Sequence, residues 1–240
     1  MARRVLELQS RIDRAAAAIL GRIPLERTRR LAKRCSELGY WRSRLAAEGG
    51  LLGFHYERFF TEHFGLSAAD YSGKRILDIG CGPRGTLDWA DAATERVGLD
   101  PLADSYRKLT GGRQRMTYVR GRAESIPFRD GRFDVVASFN SLDHVDDLAA
   151  AVSEITRVTA AGGTLLLLTD VGHEPTLSEP QQFSWDVLGR FADGWELVRE
   201  HRFEKVHAGM MESLDAGVRW DETNPAPRAG ILSARLRRVS

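Results

Sequence analysis

Short apolar runs alternate with amphipathic segments in the part of the chain that follows residue 73. Runs of this length, bounded by glycine or polar residues, are typical of buried strands. They predict seven strands, at 75–80, 96–100, 116–119, 133–138, 164–169, 195–203 and 231–239. Apolar residues at helical spacing over 147–159 predict a helix between the fourth and fifth strands, with Gly162 and Gly163 as its stop. The alternation predicts an α/β fold with an open, mostly parallel sheet.

The N-terminal part of the chain has helical rather than strand periodicity. Val5, Leu8, Ile12 and Ile19 recur at the spacing of one helix face, and Gly21 follows as a stop. This pattern predicts a first amphipathic helix.

Two further helices are predicted before the first strand. One begins near Pro24, which suits a first helical turn, and ends at Gly39 as its C-terminal cap. The other covers 51–64 and is rich in aromatic residues. We therefore expect a helical lid and substrate region over 1–70, followed by the sheet domain over 71–240.

Composition and charge narrow the function classes only slightly. A chain of 240 residues suits one domain with an appendage. The 35 Lys and Arg nearly balance the 33 Asp and Glu, so bulk charge gives no reason to expect a nucleic-acid partner. Residues 1–48 are nevertheless basic, with 12 Lys or Arg against 5 acids. This basic face is either a solvated surface or a surface that binds RNA or another anion.

Apolar stretches in the sequence are far shorter than the roughly 20 residues that cross a bilayer. Charged residues such as Glu7 and Asp13 also interrupt the N-terminal segment, which otherwise resembles a signal peptide. We expect a protein without a membrane span that stays in the cytoplasm. Cys35 and Cys81 are then expected to be reduced.

A glycine-rich turn after the first predicted strand carries the clearest candidate chemistry. Gly80, Gly82 and Gly85 stand where a strand is expected to lead into a helix, and glycine there lets a ligand approach the main chain. Asp100 closes the second strand, 20 residues after Gly80, where a carboxylate can accept both hydroxyl hydrogens of a ribose. The spacing predicts a nucleoside cofactor, and nicotinamide-dependent enzymes share this geometry.

With these residues the chain resembles the class I S-adenosylmethionine-dependent methyltransferases. The resemblance is to the small-molecule branch related to quinone-biosynthesis and natural-product methyltransferases, and it covers about 71–171. It rests on motifs in the family's order, at 77–82, 121–128 with 130–136, 140–145 and 154–163. It implies a Rossmann-like seven-stranded sheet, S-adenosylmethionine as cofactor and methyl transfer as the reaction.

The resemblance also implies a set of cofactor-binding positions, with Asp100 as the ribose-binding acid. They are Asp78, Gly80, Cys81, Gly82, Arg84, Gly85, Asp100, Pro101, Ala123, Glu124 and Asn140.

Two of these positions depart from the family pattern. Arg84 replaces the third motif glycine, and its side chain either meets the methionine carboxylate or faces solvent. Arg122 stands where an acid is common, so the adenine amino group is held either by Glu124 or by backbone alone. Glu124 is otherwise a solvated loop acid.

Methyl transfer requires a nucleophile aligned behind the methyl group and an acceptor for its proton. His144, just past the fourth strand, is best placed as that base, since an imidazole accepts a proton near neutral pH. Alternatively it only packs beside the cofactor. Asp143 is its neighbour, and either assists it or caps the helix that begins near Asp146.

Substrate contacts are expected from the loop after the fifth strand and from N-terminal aromatic residues. Asp170 and His173, together with Glu174 and Glu179, bind substrate, shape the loop or hold a divalent metal. Their spacing matches no metal signature, so we expect no metal. Tyr40, Trp41 and Tyr56 are expected to roof the pocket, as are His55, Phe183 and Trp185, unless they pack in the core.

The sequence thus predicts methyl transfer to an oxygen or nitrogen of a small polar metabolite, such as a natural-product or sugar intermediate. Methyltransferases of nucleic-acid bases carry an Asn or Asp-Pro-Pro-aromatic motif where this chain has Asn140-Ser-Leu-Asp143, so a nucleic-acid substrate is disfavoured. The alternatives are an RNA or protein methyltransferase that uses the basic helices, a non-enzymatic cofactor-binding protein and a nicotinamide enzyme. A homodimer is compatible with each of them.

Overall fold

Seven strands form one sheet in the computed structural model, which describes residues 2–20, 26–51 and 53–239. The strands are β1 (Arg75–Ile79), β2 (Glu95–Asp100), β3 (Thr117–Arg120), β4 (Phe133–Phe139), β5 (Thr159–Val171), β6 (Trp195–Glu204) and β7 (Gly230–Arg238). The α-helices are α1 (Ala2–Leu20), α2 (Glu26–Glu48), α3 (Glu57–Phe60), α4 (Ala103–Thr110), α5 (Leu148–Val158) and α6 (Met210–Ala216).

The sheet has the strand order β3-β2-β1-β4-β5-β7-β6. The pairs from β3 to β5 are parallel, whereas β7 runs antiparallel to both β5 and β6. All seven predicted strands are therefore confirmed, and so is the mostly parallel Rossmann-like sheet. Because β1, β2, β4 and β5 are parallel, their carboxyl ends meet at one edge, where ligands bind in open α/β sheets.

Both faces of the central strands are buried. In β5, Leu165 and Leu167 pack into one apolar cluster while Leu166 and Leu168 pack into another. Burial on both sides explains why the sequence of this strand is a continuous apolar run rather than an alternating one. The second cluster also contains Phe60 and its aromatic neighbours, so part of the predicted N-terminal region packs against the sheet.

The predicted helix before β5 is confirmed as α5, but its ends are set by other residues than expected. The Asp147 carboxylate caps the helix by accepting a hydrogen bond from the Ala150 N–H at 3.0 Å. Asp143 is not the cap. At the other end, α5 gives way to β5 at Thr159, and Gly162 and Gly163 lie inside that strand. The expectation that they stop the helix is wrong because the chain enters the strand three residues earlier.

The second helix is longer than predicted, because Gly39 does not end it. A Cβ at Gly39 would lie 3.1 Å from the Asp13 Cβ, and the Ser10 hydroxyl donates to the Gly39 carbonyl at 2.6 Å. The missing side chain therefore allows α1 and α2 to cross closely at this position. The second helix does not end there and continues to Glu48. Gly21 and Pro24, the other predicted boundaries, lie outside the described residues.

The first helix turns its small and polar side toward α2. Ser10, Asp13 and Ala17 are buried there, whereas Val5 is 59% and Ile19 is 65% exposed. The predicted apolar stripe thus faces outward, because small side chains allow the two helix axes to approach closely. Within the described ranges, no helix is both long and apolar enough to cross a membrane.

The segment predicted as a third helix is broken into short turns. It contains a 3₁₀ turn at Phe54–Tyr56, the single-turn helix α3 and a second 3₁₀ turn at Glu62–Phe64. Thr61 takes φ −107° and ψ −93°, outside the helical region, and interrupts the helix between the last two.

No helix follows the glycine-rich turn, contrary to expectation, although residues 80–94 are all described. Gly80, Gly82 and Gly85 all have positive φ, and Pro83 lies between them, so the chain turns repeatedly instead. The Asp88 carboxylate accepts hydrogen bonds from the backbone N–H of Arg115 and Met116, both at 2.9 Å, and fixes this connection to β3.

Candidate functional site

A cavity of about 920 Å³ opens at the carboxyl ends of β1, β2, β4 and β5, with α2 along one side. This volume lies in the range of small-molecule sites. Ten of the eleven predicted cofactor positions line it, namely Asp78, Gly80, Cys81, Gly82, Arg84, Asp100, Pro101, Ala123, Glu124 and Asn140. Gly85 is the exception, and its N–H donates to the Tyr118 hydroxyl at 3.1 Å.

The glycine-rich turn passes too close to its neighbours to carry side chains. The φ angles of Gly80 and Gly82 are 72° and 57°. A Cβ on Gly80 would lie 2.3 Å from the Ser141 Cβ, and one on Gly82 would lie 3.1 Å from the Trp41 ring. Glycine at both positions therefore lets the turn pack closely against Ser141 and Trp41 at the wall of the cavity.

Asp78 lies at the base of this turn and is fully enclosed. Its Oδ2 accepts a hydrogen bond from the Thr86 hydroxyl. Burial raises the pKa of Asp78 to about 7, the Thr86 hydrogen bond opposes that rise, and the nearby Asp100 charge adds to it.

Asp100, predicted to hold a ribose, lies buried at the end of β2. Its Oδ1 accepts from the Leu102 N–H at 2.7 Å, and its Oδ2 accepts from the Gly82 N–H at 3.3 Å. Burial raises its pKa to about 7 despite these two backbone hydrogen bonds. Each carboxylate oxygen can accept more than one hydrogen bond, so Asp100 keeps acceptor capacity toward the cavity.

Arg84 does not face solvent, which excludes one of its two predicted placements. Its side chain is 9% exposed and donates to Glu48 Oε1 at 2.7 Å. The guanidinium also lies 5.5 Å from the centre of the Trp41 ring. The pair joins the glycine-rich turn to the end of α2.

Glu124 is not a solvated loop acid, because its carboxylate is held on several sides. Arg122 donates to it at 2.8 and 3.3 Å, and the Asp146 N–H donates to its Oε1 at 2.8 Å. These bonds tie the loop after β3 to the segment that follows β4. Ala123 lies between Arg122 and Glu124 and also lines the cavity.

Asn140 stands out in its backbone and its side chain. Among the described residues it is the non-glycine position with positive φ, at 51°. Its N–H donates to the Leu168 carbonyl at 2.8 Å, while its buried Oδ1 has no hydrogen-bond donor. A strained backbone and an unsatisfied acceptor at a cavity wall are typical of a ligand site.

Carboxylates from three segments surround His144. Its Nδ1 lies 3.6 Å from Glu37 Oε1, and its Nε2 lies 3.9 Å from both Asp143 Oδ1 and Glu179 Oε1. The side chain of Asp143 is only 1% exposed, and its Oδ1 has no hydrogen-bond donor. Burial raises the pKa of Asp143 and of Glu37, and in both cases the His144 charge opposes the rise.

Of the acids and histidine predicted around the loop after β5, some reach the cavity and some do not. Asp170 lines it, pairs through Oδ2 with the Lys205 ammonium and leaves its buried Oδ1 without a donor. Glu179 also lines it. His173 does not, and its Nδ1 lies 3.0 Å from the Glu174 carbonyl. The loop thus brings one half of its predicted residues to the site.

The predicted aromatic residues Tyr40, Trp41 and Tyr56 all line the cavity, together with His55. Burial raises the pKa of Tyr56 to about 12, so its hydroxyl stays protonated. Phe183 and Trp185 are elsewhere: Phe183 is buried in the core and Trp185 packs against Trp220. The expectation that these two roof the pocket is wrong.

Sequence reasoning missed the polar residues that α2 contributes to the cavity. Lys33, Glu37, Arg44 and Glu48 line it beside Tyr40 and Trp41. These positions repeat at intervals of three or four residues, so they share one helix face with the two aromatics. That shared face was the available signal. Lys205 directly follows β6 in the chain, and no pattern in the sequence marked it as a site residue.

Comparison with known proteins gives a consistent result. Residues 77–167 match the model of a family described as a methyltransferase domain. Ajmaline N-methyltransferase of Rauvolfia serpentina is 30% identical over 114 residues, which cover 44% of this chain and 39% of that protein. Malonyl-(acyl-carrier protein) O-methyltransferase of Enterobacter lignolyticus is 30% identical over 170 residues, which cover 67% of this chain and 61% of that protein. The chain thus spans less than two thirds of either relative.

Solved structures share the same sheet. An S-adenosylmethionine-dependent methyltransferase from Mesorhizobium loti superposes with a TM-score of 0.50 and 17% identity, over 70% of this chain and 92% of that one. At this identity the likeness shows the fold alone. The architecture is therefore the Rossmann-like one of class I methyltransferases.

Proposed function

Since residues 77–167 of this chain match the model of a methyltransferase domain family, we propose that it transfers a methyl group from S-adenosylmethionine to an oxygen or nitrogen of a small polar metabolite. The observation that best supports this proposal is that the glycine-rich turn, Asp100 and His144 line one cavity of about 920 Å³. A cavity of this size accommodates a nucleoside cofactor and a small acceptor together.

The residues present fit S-adenosylmethionine. Gly80 and Gly82 line the cavity with main chain that carries no side chain, and the buried Oδ1 of Asn140 lacks a donor that a bound ligand can supply. When bound, the cofactor supplies a methyl group already activated on a sulfonium.

Each part of the cofactor then has a proposed partner. Asp100 accepts hydrogen bonds from the ribose hydroxyls, and the backbone at Ala123 faces the adenine while Glu124 holds the loop in place. Arg84, already buried and bonded to Glu48 through one nitrogen, has further N–H groups for the methionine carboxylate. Asp78 supports the turn from below through Thr86.

On the acceptor side, His144 takes the proton of the nucleophile. Glu37, Asp143 and Glu179 surround its ring nitrogens, and they stabilise the imidazolium that forms. Tyr40, Trp41 and Tyr56 line the cavity and form the aromatic part of the acceptor site. The lid is α2, since α1 contributes no residue to the cavity wall.

The basic residues on α2 favour a small acceptor over RNA or a protein, because several of them already form ion pairs with acids of the chain. Lys33 is bonded to Asp146, Arg42 to Asp13 and Arg44 to Glu48. Acids within the chain thus already neutralise part of the basic face. A cytoplasmic location and a homodimer stay predictions.

The proposal is tested by calorimetric titration of the protein with S-adenosylmethionine, S-adenosylhomocysteine and NAD. Micromolar binding of the two sulfur compounds is expected. In Asp100→Asn both should bind more weakly by about 1–3 kcal/mol, because a charge-assisted hydrogen bond is lost. Binding of NAD instead, or equal affinity in the variant, would contradict the proposal.

A further inference from the structure

Three carboxylates surround one imidazole, that of His144. Glu37, Glu179 and His144 line the cavity, whereas Asp143 is buried beside them and does not line it. The three carboxylates come from α2 (Glu37), from the turn after β4 (Asp143) and from the segment after β5 (Glu179), and all lie within 4 Å of a His144 ring nitrogen. Elements far apart in sequence thus place like charges around a single point, which costs electrostatic free energy unless a cation joins them.

Four of the cations that line the same cavity are bonded to acids outside the group around His144. Lys33 bonds Asp146, and Lys205 pairs with Asp170. Arg122 bonds Glu124 and Asp146, and Arg84 bonds Glu48. Apart from Lys33, whose charge lowers the pKa of Glu37, these side chains face other acids, and the His144 ring is the group that lies closest to all three carboxylates.

A separate observation shows that a hydrogen-bond donor is missing at this point. Asp143 Oδ1 is buried and accepts no hydrogen bond, and it lies 3.9 Å from His144 Nε2. A buried acceptor without a donor is costly, and in native structures a ligand or water normally satisfies it. The site therefore needs a group that both donates hydrogen bonds and carries positive charge.

We propose that the methyl acceptor is a primary amine that enters as its ammonium ion and binds between Asp143, Glu179 and His144. This inference rests on the proposed function and specifies its substrate class. The ammonium N–H groups donate to Asp143 Oδ1, Glu179 Oε1 and His144 Nε2. Glu37 is a positioning residue, because its carboxylate favours a proton on Nδ1 and so leaves Nε2 as the acceptor.

The reaction balances with these groups. His144 Nε2 removes one proton from the ammonium, which frees the nitrogen lone pair. The neutral amine then turns this pair away from His144 and toward the methyl group. The pair forms the new N–C bond while the S–C bond breaks and its electrons stay on sulfur. The nitrogen carries the positive charge again in the methylated product, which the same carboxylates hold until it leaves.

The distances fit an ammonium better than an octahedral magnesium ion. The ligand atoms of Asp143, His144 and Glu179 lie within 4.8 Å of one another, with two separations of 3.9 Å. Acceptors about 2.8 Å from a tetrahedral nitrogen are about 4.6 Å apart. Ligands about 2.1 Å from an octahedral magnesium ion are only about 3 Å apart. The observed spacing is closer to the first arrangement.

The test uses matched probes that differ in one group: 2-phenylethylamine against 2-phenylethanol, and cyclohexylmethylamine against cyclohexylmethanol. Binding is measured by calorimetry to the full chain, both alone and saturated with S-adenosylhomocysteine. We expect each amine to bind at least about tenfold more tightly than its alcohol, because only the amine is charged.

Variants of the acids around His144 test whether the preference for amines over alcohols comes from these acids. Glu179→Gln and Glu37→Gln should each lower amine affinity at least about fivefold, whereas Glu174→Gln, an exposed acid on the same segment outside the cavity wall, should leave it unchanged. Affinity for S-adenosylhomocysteine should be the same in all three variants, which shows that they fold. Failure of S-adenosylhomocysteine to bind would refute the proposed function, whatever the amines do.

Three results would overturn the amine assignment itself. One is equal or absent binding of the amines and alcohols by a protein that binds S-adenosylhomocysteine. Another is a loss of amine affinity in Glu174→Gln equal to that in Glu179→Gln. The third is stoichiometric binding of Mn²⁺, seen by electron paramagnetic resonance, that disappears in Glu179→Gln, since the cluster would then be a metal site.

Discussion

Arg84 in the glycine-rich turn donates a hydrogen bond to Glu48 Oε1 at the end of α2, at a distance of 2.7 Å. Both side chains are largely shielded from water, at 9% and 29% exposure. The pair connects the part of the chain that is proposed to hold the cofactor to α2, the helix that is proposed to cover the acceptor.

Glu48→Gln should lower the free energy of unfolding by about 1–3 kcal/mol, because it leaves the Arg84 guanidinium buried without its counter-charge. Urea unfolding followed by tryptophan fluorescence measures the change. Glu7→Gln is the control, since Glu7 forms a comparable but exposed pair with Arg3 and should change stability by less than about 0.5 kcal/mol. Equal effects of the two variants would mean that the buried pair stabilises nothing.

Gly39→Leu should separate α1 from α2, because a Cβ at that position already lies 3.1 Å from Asp13 and 3.2 Å from the Ser10 carbonyl. Overpacking of this kind costs about 1–3 kcal/mol. Hydrogen exchange should show faster exchange of the amides of α1 and unchanged exchange of the sheet. Gly50→Leu is the control, because nothing lies within 4 Å of its Cβ position and its φ is not positive.

Stability should fall as the pH rises from about 4 to about 7. The pKa of Asp78 and of Asp100 is about 7 in the folded protein, raised by burial, against an ordinary value of 3.8. In this window the folded state keeps protons that the unfolded chain releases, so raising the pH favours unfolding. Urea midpoints measured between pH 5 and pH 8 should show the decline, and Asp100→Asn should reduce it. His63, whose pKa burial lowers from 6.5 to about 4, acts in the opposite direction between these values. A pH dependence that is unchanged in Asp100→Asn would therefore be the result that contradicts the raised pKa of Asp100.

The same ionisation should make cofactor binding stronger as the pH rises through 7. A ribose hydroxyl donates more strongly to a carboxylate than to a carboxylic acid, so binding releases a proton from Asp100. Adenosine is the appropriate probe, because neither its base nor its ribose titrates between pH 6 and pH 8. Calorimetry in two buffers of different ionisation enthalpy should detect proton release by the protein and none by Asp100→Asn.

His144→Ala should leave S-adenosylhomocysteine affinity unchanged and lower turnover of an identified acceptor about 100-fold or more, since it removes the proposed base. Rapid-quench measurement of the methyl-transfer step separates this effect from product release. Raising the pH should partly restore the rate of the variant, because the acceptor then arrives already deprotonated. Normal turnover in the variant would show that His144 is not the base and only packs beside the cofactor.

Local pattern was enough to predict the sheet. Strands buried on both faces are continuous apolar runs, and β4 and β5 are of this kind, so their positions were evident. The turn with Gly80 and the acid at Asp100 were also predictable, because backbone conformation and ribose chemistry restrict those positions to few residue types. Those constraints are local in the sequence.

The errors arose where the role of a residue depends on what packs against it. Glycine is typical of a helix end, but at Gly39 the missing side chain instead allows α2 to contact Ser10 of α1. The turns at 80–94 were expected to include a helix, and the positive φ angles of the glycines show why they do not. Glu37 and Glu48 resemble solvated residues of a charged helix, and only the tertiary placement of α2 brings them to the cavity. Nothing in the chain near Glu37 specifies that His144 will lie beside it.

The two halves of the cavity draw on different parts of the chain. The strand ends and the loops directly attached to them provide Gly80 and Asp100, whereas α2 and the segment after β5 provide Glu37 and Glu179. A substitution in the second group alters the acceptor end without touching the sheet. Selection for a new acceptor can therefore proceed through a peripheral helix and one loop, and the same sheet can serve many chains whose acceptors have nothing in common.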